Sequence, residues 1–134
     1  MKKEILVSVV LLGLVVSMPA QSGSVETLQS AYQAAGAGDF SASRGEKMWM
    51  KNYLDKKSGK QRNCQTCHGD NLTVSGKHAR TGKVIEPLAR SVNSERLTDI
   101  KFMKKWLKRN CKWTIGRECS PQEKGDFLEY LKGQ

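Results

Sequence analysis

Acidic residues are scarce in this 134-residue chain, with 13 Asp and Glu against 23 Lys and Arg, a formal net charge of +10. Aromatic residues are few as well, three each of Phe, Trp and Tyr. A domain of this size has a thin apolar core unless a staple, a metal or a cofactor completes it. No stretch alternates apolar and polar residues for long, which argues against a sheet-based fold. The longest apolar run, Ile5 to Val16, is broken by Ser8 and Gly13. It falls short of the roughly 20 residues that a spanning helix needs.

That run has another use. Lys2 and Lys3 precede it and small residues around Ala20 and Ser22 follow, the pattern of a secretory signal peptide over residues 1–22. Its removal leaves residues 23–134 as one exported domain without a membrane span, placed in the oxidising periplasm.

Within that domain the signals are helical, and an all-α fold of about four helices with long loops is expected. The first stretch runs from about Ser24 to Ala35, with Leu28, Tyr32 and Ala35 on one face. The second starts at Ser43, where Ser43 and Glu46 make a capping-box pattern, and Gly45 leaves room for another helix to cross. Residues 69–94 read as a long ordered loop with an apolar island at Val84, Ile85, Pro87 and Leu88. A third helix spans about Asp99 to Asn110, with Ile100, Met103, Leu107 and Asn110 on one stripe. The fourth begins at "SPQEKGDFLEYL", where Ser120 caps, Pro121 opens the helix and Glu123 completes the capping box.

Between the second and third helices stands "NCQTCHGDN", in which Cys64, Cys67 and His68 form Cys-x-x-Cys-His, the attachment signature of c-type haem. Two thiols three apart can each add to one vinyl group, while the next side chain supplies the proximal iron ligand. A zinc site would need a second close pair of cysteines, but Cys111 and Cys119 are eight apart. A thioredoxin-like dithiol would need a strand before the motif, and none is evident. Covalent haem c is therefore the expected cofactor. Cys111 and Cys119 remain, and an oxidising compartment favours their pairing across the short segment "KWTIGRE".

For the sixth iron ligand the chain offers three candidates beyond His68. Met103 lies inside a helix and suits a core. His78 lies in the solvated stretch "SGKHARTGK". Asn110 lies two helical turns beyond Met103 on the same stripe, beside Cys111, where an asparagine can also serve as a helix C-cap.

The segments "NCQTCHGDN", "GKVIEPLARSVN" and "RNCKWTIGRECSPQEKGDFLEYL" together resemble the sphaeroides haem proteins, small c-type cytochromes with one haem and an asparagine distal ligand. The resemblance implies that Asn110 is that ligand, beside the Cys111–Cys119 disulfide. It also implies electron transfer coupled to binding of a diatomic gas, oxygen or nitric oxide. A plain electron carrier with Met103 or His78 as sixth ligand is the alternative.

Around the iron, a backbone carbonyl near Pro87 is the expected partner of the proximal imidazole. Arg62, Arg80, Lys83, Arg90 and Trp113 are candidates for the haem propionates. Lys101, Lys104, Lys105, Lys108 and Lys112 recur along the third helix with no acidic residue between them, a stripe suited to an acidic redox partner such as another c-type cytochrome. Nucleic acid is a poor partner for an exported haem protein. No second set of acid, base or nucleophile supports an enzyme proper, so any turnover is haem chemistry fed by a donor.

Overall fold

The computed structural model describes residues 23–134, and the expected signal peptide over 1–22 lies outside the described residues. Along the chain come α1 (Ser24–Ala34), α2 (Ala42–Met50), β1 (Tyr53–Leu54), β2 (Gln61–Arg62), α3 (Gln65–His68), β3 (Gly76–Lys77), β4 (Val84–Ile85), α4 (Ile100–Thr114) and α5 (Pro121–Lys132). The fold is helical, and the strands form only two antiparallel two-residue ladders, β1 with β2 and β3 with β4.

Helix α5 is the hub, packing against both α1 and α2. Its start is the complete capping box: the Ser120 hydroxyl accepts from the Glu123 amide and the Glu123 carboxylate accepts from the Ser120 amide. Helices α2 and α5 cross where Gly45 meets Asp126, since a Cβ on Gly45 would lie 2.1 Å from the Asp126 carbonyl oxygen. Asp126 is 2% exposed and accepts from Arg44 Nε at 2.8 Å, Arg44 Nη2 at 2.9 Å and the Ser41 amide at 2.7 Å. A buried carboxylate needs such partners, and here they fix the start of α2 against α5.

Helix α2 begins earlier than its sequence suggests. Ser41, not Ser43, is the N-cap, its side chain accepting from the Arg44 amide, so Ser43 and Glu46 both lie inside the helix. Helix α4 is capped by Asp99, which accepts from the Phe102 amide at 2.9 Å. It continues past Asn110 to Thr114, because Cys-Lys-Trp-Thr holds no breaker before Gly116 at φ +86°. Asn110 is therefore an interior helical residue rather than a C-cap.

Two apolar clusters result. One gathers Trp49, Leu72, Ala89, Cys111, Cys119, Phe127 and Leu131. The other gathers Val25, Leu28, Met103 and Leu128, and Leu97 and Leu107 touch both. The long segment after α3 is ordered by its own core residues. Leu72 is buried, and its carbonyl accepts from the amides of Leu88 and Ala89 at 3.0 and 2.9 Å.

Candidate haem site

A cavity of about 1090 Å³ opens between α3, the β3–β4 hairpin, α4 and α5. Cys64, Cys67 and His68 line one wall. The turn that opens their short helix is braced by Asn63 and Thr66, Asn63 Oδ1 accepting from the Thr66 amide at 2.9 Å and Thr66 Oγ1 from the Asn63 amide at 3.1 Å. The Cys64 amide donates to the Trp49 carbonyl at 3.2 Å, which ties the motif to the end of α2. Gly69, at φ +71°, ends the turn. Gly76 is pressed against it, for a Cβ there would lie 2.2 Å from the Cys67 carbonyl oxygen.

The electrostatics of this wall favour neutral groups. Burial, aided by the charge of Arg96, pushes the His68 imidazole down to about 4, so it is neutral at pH 7 with a lone pair to offer a metal. Burial, followed by the proximity of Cys67, pushes the Cys64 thiol up to about 12. The Trp49 ring lies 5.3 Å from the His68 ring. Cys64 and Cys67 form no disulfide with each other.

Helix α4 supplies another wall through Met103, Trp106, Leu107, Asn110, Cys111 and Trp113. Met103 is 5% exposed and packed among Val25, Leu28 and Leu128. Asn110 is exposed into the cavity mouth, and no hydrogen bond holds its amide among the described residues. Cys111 and Cys119 form a disulfide with Cα atoms 5.7 Å apart. Arg62 adds a tie to the end of this helix: Nη1 donates to the Trp113 carbonyl at 3.1 Å and the guanidinium lies 4.3 Å above the indole ring.

His78 also lines the cavity, on the turn between β3 and β4, with Arg80 and Lys83 beside it. Its Nδ1 accepts from the Thr81 amide at 3.1 Å.

Residues 35–131 match the family described as a domain of unknown function, DUF1924. The chain is 39% identical over 126 residues to the cytochrome c-type protein SHP of Cereibacter sphaeroides, covering 92% of this chain and 96% of that protein. The solved structure of oxidised SHP, described as an oxygen-binding cytochrome c, matches with a TM-score of 0.73 and 38% identity over 84% of this chain and 98% of that one. The solution structure of cytochrome c'' from Methylophilus methylotrophus, which addresses haem-ligand detachment, matches with a TM-score of 0.69 and 32% identity over 82% and 93%.

The chain belongs to the sphaeroides haem protein family.

As a c-type cytochrome of that family it carries one covalently bound haem c. The lining suits this group, with two thiols and a neutral imidazole on one short helix, apolar side chains around them and cationic residues at the mouth. A sphaeroides haem protein needs second-layer contacts too, and here some sequence expectations change. The Pro87 carbonyl accepts from Arg96 Nε at 2.8 Å and Asn93 Nδ2 at 3.3 Å. Arg62 is ion-paired with Asp55. Arg90 is outside the cavity lining, whereas Arg80, Lys83 and Trp113 are in it.

Several lining residues carry no sequence signal. Arg96, which bonds the carbonyls of Glu86 and Pro87 and charges the surroundings of His68, is one arginine in a polar loop. Leu97, at φ +62° where a leucine rarely sits, bridges the two apolar clusters. The buried indole N–H of Trp106 has no partner among the described residues, while Arg109 lies 5.1 Å from that ring.

Proposed function

We propose that this chain is a periplasmic electron-transfer cytochrome that also binds a diatomic gas, oxygen or nitric oxide, at its haem iron. In this reading Cys64 and Cys67 hold the haem as thioethers, His68 is the proximal ligand and Asn110 the distal ligand that leaves on reduction. The haem supplies one-electron chemistry and an iron that accepts a small gas. Export rests on the leader pattern in residues 1–22. No helix among the described residues is long and apolar enough to cross a membrane.

The observation that carries the reading is the placement of Asn110 in the cavity wall, one residue before the clamped Cys111, with an amide that no other described residue holds. A neutral amide oxygen is a hard, weak donor that suits ferric iron better than the softer ferrous ion. Because no internal hydrogen bond restrains it, the amide can turn away at little cost and present its NH₂ donors to a bound gas. Met103 is less suited, being packed in the core between α1 and α5. His78 is less suited because an Nδ1 that accepts from an amide leaves the proton on Nε2 of the neutral ring. That a solved relative is described as oxygen-binding supports the same reading.

Optical spectra of the purified holoprotein test it. Asn110→Ala should change the ferric spectrum while Met103→Leu leaves it nearly intact, and ferrous wild type should be high-spin and bind carbon monoxide quickly. A low-spin ferrous spectrum abolished by Met103→Leu or by a His78 variant would make this an ordinary carrier.

The lysine stripe on α4 supports an acidic electron donor. Lys101, Lys104, Lys105, Lys108 and Lys112 are all exposed on the helix that bears Asn110. Glu118, from the next loop, lies near Lys108 and Lys112; its carboxyl is held below the usual range mainly by a hydrogen bond from Lys124, with those two lysines adding to the effect. Reversal of Lys104 and Lys108 to Glu should slow reduction by an acidic cytochrome about tenfold or more at low salt, with the wild-type rate falling as salt rises. Rates that ignore both salt and the mutations would leave the stripe a solvated face.

A further inference from the structure

We infer that Trp49 and Tyr130 form a relay that carries one oxidising equivalent from the haem, past His68, to the protein surface. The inference goes beyond gas binding and electron exchange, and it rests on the reading that His68 is the proximal ligand.

The rings stand in line. Trp49 lines the cavity, is 6% exposed, and has its ring centroid 5.3 Å from that of His68. The Tyr130 ring follows 5.8 Å from Trp49, tilted by 50°. Such separations are those of aromatic rings in contact, so neither transfer has a gap to cross. The spacing is built into the helix crossing. A Cβ on Gly45 would lie 2.8 Å from the Tyr130 Cβ, so the close approach of α2 and α5 seats Tyr130 against the helix that bears Trp49. The Cys64 amide, bonded to the Trp49 carbonyl, holds the attachment motif to the same helix end.

Charge separates this pair from the other oxidisable rings. Trp106 and Trp113 line the cavity too, but Lys105 at 5.6 Å and Arg109 at 5.1 Å lie over Trp106 and Arg62 at 4.3 Å over Trp113. Lys51 lies over Tyr53 at 5.5 Å. A cation over a ring is attracted to its electrons and makes one of them harder to remove. No cation lies over Trp49 or Tyr130 among the described residues. Tyr130 has a carboxylate nearby instead: burial, followed by the charge of Glu46, raises its phenol above the ordinary value, so the proton stays on until an electron leaves. Tyr130 is half-buried and its hydroxyl makes no hydrogen bond among the described residues, which leaves that proton a way out to water or to exposed Glu46.

The oxidant that balances the step is a hydroperoxide, the reduced form of oxygen that an oxygen-binding haem meets. Its O–O bond breaks as it accepts two electrons and reaches the oxidation level of water. One electron comes from the haem. The other comes from Trp49, which is refilled from Tyr130 as the phenol gives its proton to Glu46 or solvent. A neutral phenoxyl radical is left near the surface, where a soluble thiol returns the hydrogen atom. The oxidising equivalent thereby leaves the haem and its ligand undamaged.

The test treats the purified ferric holoprotein with hydrogen peroxide. Freeze-quench electron paramagnetic resonance reads organic radicals, a nitroso spin trap with peptide mass spectrometry places them, and the Soret band reads haem destruction. Wild type should give a tyrosyl signal and a trap adduct on Tyr130. Tyr130→Phe, which removes only a hydroxyl without a partner, should lose both and bleach faster, because the oxidising equivalent then stays at the haem. Trp49→Phe, which keeps an aromatic ring but no oxidisable indole, should also lose the Tyr130 adduct. Adducts on Trp106, Trp113 or Tyr53 with none on Tyr130 would overturn the relay, as would an adduct on Tyr130 that survives in Trp49→Phe or an unchanged bleaching rate in Tyr130→Phe. Resonance Raman spectra of ferrous wild type read the proximal bond separately. A high-spin spectrum without an iron–imidazole stretch would instead overturn ligation by His68, on which the relay rests.

Discussion

The wall that bears Cys64, Cys67 and His68 is a single helical turn whose contacts are mostly local: Asn63 with Thr66, Cys64 with His68, Gln65 with Gly69. The α4 wall is a 15-residue helix whose far end is held from outside the helix, by the disulfide to Cys119 in the next loop and by the guanidinium of Arg62, 51 residues away in sequence. A local turn positions ligands as soon as it forms. A helix end held from outside keeps its backbone fixed while a side chain on it, Asn110, stays free to move. The contrast is the one the proposed ligand pair would use, His68 bound in both oxidation states and Asn110 leaving on reduction.

The largest effect should come from breaking the local wall. In Cys64→Ser with Cys67→Ser, no thiol is left to add to a vinyl group, and all haem should extract into acidified organic solvent, against none from wild type. Haem that stays on the double variant would mean that attachment lies elsewhere and would remove the contrast. The same variant should be poorly folded, since the cavity would keep a large apolar surface without its filling.

The remote wall should respond differently. Replacing Cys111 and Cys119 together by Ala removes a short covalent ring, and chain-closure entropy puts the loss near 2 to 3 kcal/mol. Both residues are in the apolar cluster that also holds Trp49 and Phe127, and alanine fills less space there. Urea unfolding should show a lower midpoint with the haem still covalently bound. A variant as stable as wild type would mean that Arg62 and the packing hold α4 by themselves.

The two walls were also unequally legible in the sequence. Cys-x-x-Cys-His carries its chemistry in adjacent residues, and the capping box at Ser120 and Glu123 is likewise a local pattern that the structure reproduces. The crossing at Gly45 was readable too, because a glycine in a helix signals close approach. The end of α4 was not. Asn110 has the chemistry of a C-cap, but the four residues after it are helix-compatible and the helix runs on to Thr114, short of Gly116 at φ +86°. Ser43 misled for a similar reason: Ser41, two residues earlier, has the same capping chemistry, and the bond from its amide to Asp126 selects it. Arg62 acts through the carbonyl of Trp113, 51 residues away, and Arg96 through the Pro87 carbonyl earlier in its own loop, contacts that no spacing rule reveals.

The smallest expected effect lies in the loop that joins α4 to α5. The Glu123 carboxylate accepts from Arg117 Nη1 and Nη2 at 2.7 Å each and from the Ser120 amide at 2.8 Å. The Arg117 hydrogen bond is the main cause that holds its carboxyl down to about 2, against the ordinary 4.5. Because the folded value lies below the unfolded one, the carboxylate stabilises the fold above pH 4.5 and loses that contribution as the pH falls towards 2. Arg117 is exposed, so solvent screens the pair, and the capping interaction sets the scale at about 1 kcal/mol. Glu123→Gln should therefore cost about 1 kcal/mol at pH 7 in urea unfolding, and the two curves should converge as the pH approaches 2. Ser120→Ala, which removes an uncharged cap, should keep its deficit at both pH values. Parallel curves for Glu123→Gln and wild type across the whole range would show that the loop is held by the disulfide without help from this carboxylate.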